Sequence, residues 1–82
     1  MQMNAENAQT EAQLNKLIEI AQMHADDLAL KDKTVAEVYI TAHPKGGWAA
    51  HVVTPATREI FNGVIADGRQ VRLISTYDGR VS

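Results

Sequence analysis

The spacing of apolar residues along the chain changes near residue 33. Between residues 14 and 28 they recur every three or four positions and fall within an arc of about 100° on a helical wheel; they are Leu14, Leu17, Ile18, Ala21, Ala25 and Leu28. Thr10 and Gln13 have the spacing of a capping box, which indicates that a helix begins there. We therefore expect an amphipathic helix, with Met23 and Leu30 outside its apolar stripe.

Beyond residue 33 the spacing of apolar residues becomes two, which predicts strands. The segments TVAEVYITAH (34–43) and WAAHVVT (48–54) form a hairpin through PKGG, and QVRLIST (70–76) follows a turn at Asp67 and Gly68. The segment between them is ambiguous. A strand over 58–66 is favoured, and a short helical turn near residues 55–62 is the alternative. The expected fold is α+β, with the helix packed on an antiparallel meander of about four strands.

The position of the hairpin turn decides which residues share a face of the sheet. If Lys45 and Gly46 form a two-residue loop, His43 pairs with Trp48, and alternation places His43 and His51 on opposite faces. A shift of one residue would bring both histidines to one face. Because zinc usually takes three or four protein ligands, we expect no metal site in either case, and His51 is assigned to the core.

Both faces of this hairpin are apolar, whereas one helix can cover only one of them. The second hairpin, a second copy of the chain or a partner protein could cover the other face. Tyr39 and Trp48 belong to the residue types that dominate binding interfaces. We expect a homodimer, since two-fold pairing is the commonest oligomeric arrangement.

Length and composition limit the class of protein. The 82 residues are expected to form one domain over 10–82, preceded by a disordered segment over 1–9. Cysteine is absent from the sequence, so disulfides and thiolate metal sites are excluded. The sequence has no apolar run long enough to span a membrane and none resembling a signal peptide, and we expect a cytoplasmic protein. Because no catalytic or nucleotide-binding motif is found, we expect neither catalysis nor a cofactor.

Charge is distributed unevenly along the chain. Residues 1–30 carry a net charge of −4, and residues 31–82 carry +2. The leading hypothesis is a small, non-catalytic and dimeric interaction protein that binds a larger protein. Its acidic helix suggests, by analogy, a phage-type inhibitor of a nucleic-acid-handling complex.

Two other classes of function are kept as alternatives. A nucleic-acid-binding module would use basic side chains for phosphates and aromatic side chains for stacking, but the pI of about 5.8 weighs against it. A small enzyme or ligand carrier would need a site at a subunit interface. The predicted binding residues are Tyr39, His43, Lys45, Trp48, Arg69 and Arg72.

Overall fold

A computed structural model describes residues 8–80 of the chain. The elements are α1 (Glu11–Asp32), β1 (Val35–Ala42), β2 (Trp48–Val53), α2 (Arg58–Val64) and β3 (Val71–Asp78). The strands form one antiparallel sheet in the order β2-β1-β3. The α+β class and the helix packed on an antiparallel sheet are confirmed. The described sheet has three strands and not four, and it is not a meander, because β3 returns to pair with β1.

Helix α1 begins at the predicted capping box. The Thr10 hydroxyl accepts a hydrogen bond from the Gln13 backbone N–H at 3.1 Å, and the Gln13 side chain accepts one from the Thr10 N–H at 3.2 Å. The helix ends at Asp32 and is capped by Lys33, whose φ of 50° turns the chain toward the first strand. Because both reciprocal bonds form, two N–H groups that the helix itself cannot satisfy find partners.

The core lies between α1 and the sheet. The buried positions of the helix are mostly alanines, which let its backbone approach the sheet closely, and they pack on small and branched residues of β1 and β2. Met23 and Leu30 lie outside the stripe, as expected, and are 65% and 62% exposed. No helix within residues 8–80 is long and apolar enough to cross a membrane. The buried residues of this cluster are Ala8, Leu17, Ala21, Ala25, Ala29, Ala36, Val38, Ile40 and Ala50.

The segment for which a strand was favoured forms α2. Before the helix, the Thr57 N–H donates to the Thr54 carbonyl and the Thr57 hydroxyl accepts from the Thr54 N–H, both at 3.0 Å. Phe61 is the one buried residue of α2, while Ile60 and Val64 stay exposed. The strand prediction was wrong because the contacts that hold this short helix are not local. They join Phe61 to Tyr39 and His51, which come from distant parts of the chain.

The hairpin register differs from the predicted one by a single residue. Tyr39 lies opposite His51, and Ala42 lies opposite Trp48. The loop has three residues, because the His43 N–H donates to the Gly47 carbonyl at 3.0 Å and the chain between them turns through Gly46 at a φ of 95°. His43 and His51 therefore share one face of the sheet, so their predicted separation was wrong.

A contact from outside the hairpin supports this register. Ala8 and Trp48 exchange two backbone hydrogen bonds of 2.9 and 3.0 Å. A Cβ atom at Gly47 would lie 2.5 Å from the Ala8 carbonyl oxygen, so glycine is required there. Of the segment expected to be disordered, residues 1–7 lie outside the described residues, and Ala8 is buried.

Candidate functional site

The face of the sheet turned away from α1, called here the outer face, gathers several polar and aromatic side chains. Phe61 of α2 packs on it, with its ring centroid 4.8 Å from that of Tyr39 and 5.4 Å from that of His51. The short helix thus covers the middle of the face and leaves space toward the hairpin tip. By register and alternation the hairpin residues of the outer face are Glu37, Tyr39, Thr41, His43, Ala49, His51 and Val53.

A cleft of about 390 Å³ opens between α2 and the hairpin. One part of its wall is apolar and comes mainly from α2, and the other part carries nitrogen-containing side chains. Of the side chains that the structure describes, none that lines the cleft is acidic. The residues that characterise this outer cleft are Ile60, Phe61 and Val64 on the apolar side and His43, His51 and Arg69 on the polar side.

The two histidines of the outer cleft are held by different hydrogen bonds. His51 Nε2 lies 2.8 Å from the hydroxyl of Thr41, which is fully buried. Burial lowers the pKa of His51 below its ordinary value of 6.5, and the nearby Arg69 charge lowers it further, so the ring is neutral at pH 7. His43 Nδ1 accepts the Lys45 backbone N–H at 3.1 Å, which in the neutral ring leaves the proton on Nε2.

Arg69 provides the positive charge of the outer cleft. Its Nε and Nη2 donate to the Asp67 carboxylate, with an Nη2–Oδ2 distance of 2.8 Å. This pair raises the pKa of Arg69 and lowers that of Asp67, chiefly through the side-chain hydrogen bonds. The Arg69 side chain is 21% exposed, so the ion pair holds the guanidinium against the protein surface.

The structure brings together only some of the predicted binding residues. His43 and Arg69 line the outer cleft, and Tyr39 lies beside it under Phe61, where its hydroxyl accepts a hydrogen bond from Arg58 at 3.2 Å. The other three predicted residues lie elsewhere. Lys45 is exposed at the hairpin tip, while Trp48 and Arg72 lie opposite Ala42 and Ile40 and so belong to the face that carries α1.

Other residues of the cleft were missed by sequence reasoning. His51 was assigned to the core, and the α2 residues were assigned to a strand. The signal for α2 was present in Thr54 and Pro55, which suit the start of a helix, but nothing local shows that Phe61 packs on the outer face. Within residues 8–80, no group of three or more acidic or histidine side chains could hold a metal ion.

The second feature of interest is the free edge of the sheet at β3. Among the described residues no strand pairs with its outer side. Leu73 lies on the outer face opposite Tyr39 and is 50% exposed. The β3 edge therefore combines unpaired backbone groups with an exposed apolar side chain.

Comparison with known protein families, curated proteins and solved structures finds no match to this chain. The outer cleft and the β3 edge are therefore the features of this chain that bear on its function.

Proposed function

We propose that this chain is a small, non-catalytic interaction protein that forms a homodimer through the β3 edge and binds a larger protein. The observation that carries the proposal is the outer side of β3, a strand of eight residues, with which no other strand pairs within residues 8–80. An edge strand of this length presents a row of N–H and C=O groups to which another strand can add. A second copy of the same strand is the occupant we propose.

The hydrogen bonds of β3 to β1 show which residues of β3 are outward residues, meaning that their backbone N–H and C=O groups point away from β1 toward the free edge. The Gln70 carbonyl accepts from Ala42 and the Gly79 N–H donates to Thr34, both at 2.9 Å, so these two positions point toward β1. The direction of the backbone groups alternates along β3, with one irregularity opposite Val38 and Tyr39. Four residues are therefore outward residues. They are Val71, Leu73, Thr76 and Asp78.

This outward set is self-complementary. Antiparallel pairing around the point between Ile74 and Ser75 would place Leu73 opposite Thr76 of the second copy and Val71 opposite Asp78 of the second copy. Every outward residue then has an outward partner, which is what an isologous two-fold interface requires. The pairing would also cover the exposed side chain of Leu73.

The larger partner is proposed to be a basic protein that contacts the acidic surface of α1. Glu19, Asp26 and Asp27 are exposed on this helix, and pairing along β3 would leave them accessible. Complementary charge increases the rate of encounter and selects partners. An inhibitor of the phage type, acting on a nucleic-acid-handling complex, remains the specific form of this proposal.

Native mass spectrometry of the full chain tests the dimer, with Leu73→Lys as the disrupting variant. A lysine on the edge strand opposes strand addition. Met23→Lys is the matched control, because Met23 is similarly exposed but lies on α1. We expect dimers for the wild type and for Met23→Lys, and monomers for Leu73→Lys. A monomeric wild type would refute the dimer.

The charge of α1 is tested separately by affinity capture of partner proteins. Asp26→Lys reverses a charge on α1, and Glu59→Lys makes the same change on α2. We expect basic proteins to be retained by the wild type and by Glu59→Lys and to be lost with Asp26→Lys. Equal capture by both variants would contradict a partner surface on α1.

A further inference from the structure

We propose that the outer cleft is a binding site for a small-molecule monocarboxylate with a compact apolar body, whose carboxylate is held by Arg69 and His43 and whose body packs between Ile60, Phe61 and Val64. This site is independent of the proposed dimer, because it lies between α2 and the hairpin and not at the β3 edge.

The size of the cleft suits a small ligand. Its volume of about 390 Å³ lies near the lower end of the range of roughly 300–1,000 Å³ for small-molecule sites. Ala49 contributes to the volume, since it lies on the outer face of β2 two residues before His51 and its small side chain leaves the floor open. A larger residue at this position would fill the space that we assign to the ligand.

The apolar side of the cleft contains apolar side chains that the folded protein leaves exposed. Ile60 is 71% exposed and Val64 is 36% exposed. They are four residues apart, so they lie on one side of α2, and both line the cleft beside the buried Phe61. A bound apolar group would cover both side chains, and this favours a ligand with an apolar body over inorganic phosphate.

The polar side of the cleft favours an anion. All the ionisable side chains that line it are basic or histidine, and the Asp67 carboxylate that pairs with Arg69 is not part of the lining. Because Nε and Nη2 of Arg69 are held by Asp67, the guanidinium is already ordered and Nη1 can donate to a ligand. His43 Nε2 adds a second donor. The ordered guanidinium and the His43 ring together offer two donors, which suits the two oxygens of a single carboxylate.

The full chain provides a matched control for the charge. Arg80 pairs with Asp78 in the same geometry, with the same Nη2–Oδ2 distance of 2.8 Å, but it does not line the cleft. Arg69→Gln and Arg80→Gln therefore each remove one arginine–aspartate ion pair, and only the first removes the proposed ligand contact. Ala49→Leu tests the volume independently of charge.

The experiment is an NMR titration of amide and histidine ring signals with benzoate and with hexanoate, with benzamide and inorganic phosphate as comparison probes. For at least one carboxylate we expect saturable shifts confined to the outer cleft, in the wild type and in Arg80→Gln. Binding should weaken at least tenfold in Arg69→Gln and in Ala49→Leu, whose spectra also report whether the fold is intact. His43→Gln should weaken binding too, which gives a second polar variant if Arg69→Gln loses its fold.

Several results would overturn the proposal. A carboxylate site in the cleft would be excluded if neither carboxylate gave saturable shifts. It would also be excluded if the shifts spread over the whole surface. Equal affinity for benzamide would show that charge is not recognised, and equal affinity for phosphate would show a general anion site. Unchanged binding in a folded Arg69→Gln would exclude the assigned contact. None of these results would depend on whether the chain is a dimer, since the oligomeric state is measured separately.

Discussion

Phe61→Ala is the substitution that most directly tests how α2 is attached to the sheet. Phe61 is 4% exposed, and its ring packs on the rings of Tyr39 and His51. Removing a fully buried Phe side chain loses about 1.5–3 kcal/mol of burial free energy. An aromatic pair adds about 0.5–1.5 kcal/mol. We therefore expect the free energy of unfolding to fall by about 2–4.5 kcal/mol.

Two considerations place the loss toward the lower part of that range. The other apolar residues of α2 are exposed, so the helix can detach from the sheet and no sealed cavity has to persist. Alanine also favours helix formation more than phenylalanine does. A domain of this length has a stability of roughly 4–12 kcal/mol in total, so the variant should still fold. Amide hydrogen exchange in α2 should rise more than exchange in α1.

Urea denaturation monitored by circular dichroism measures the loss, and Ile60→Ala is the control. Ile60 is the neighbouring residue on α2 but is 71% exposed, so its substitution should change stability by no more than about 0.5 kcal/mol. The reasoning would be refuted if Phe61→Ala lost less than about 1.5 kcal/mol, the low end expected for burial of a Phe side chain. A loss in Ile60→Ala as large as that in Phe61→Ala would also refute it, because it would show that another face of α2 is buried.

Three further predictions concern other parts of the fold: the cap of α1, the two glycines at positions 63 and 79, and the titration of His51. Thr10→Ala removes the capping box and should cost about 1 kcal/mol in urea denaturation. Gly79→Ala should be strongly destabilising, because the new Cβ would overlap the Ala29 carbonyl group, whereas Gly63→Ala meets open space and should be neutral or stabilising in the same assay. The pKa of His51 is lower in the folded state than in the unfolded state, so the unfolded state binds the proton first as the pH falls below about 6.5. The free energy of unfolding should therefore decrease as the pH falls below that value. His51→Gln should flatten the stability profile between about pH 7 and 5, and an unchanged slope would contradict the assignment.

Sequence reasoning succeeded where the deciding interactions are local. The capping box of α1 connects residues three positions apart, and its spacing alone indicates the start of the helix. The alternation of apolar residues places β1, β2 and β3 to within two residues of their observed ends. In each case the pattern depends on neighbours in the chain, which the sequence displays directly.

The prediction failed where distant contacts decide between two locally acceptable structures. The segment around Phe61 fits a strand or a helix, and the choice depends on Tyr39 and His51, which come from other elements. The loop after His43 fits two or three residues, and the observed length is accompanied by the pairing of Ala8 with Trp48. Neither contact leaves a periodic signal in the sequence.

The loop length matters more for the site than for the fold. Because side chains alternate along a strand, a shift of one residue exchanges the faces of a whole strand while the sheet keeps the same three strands. With a two-residue loop, Trp48 would have joined Tyr39 on the outer face and His51 would have faced α1. With the observed loop, Trp48 packs beside α1, and both hairpin histidines join Arg69 in the outer cleft. The chemistry available on this face, an ordered guanidinium and two imidazole rings beside an apolar wall, is therefore a consequence of the single extra residue in the loop.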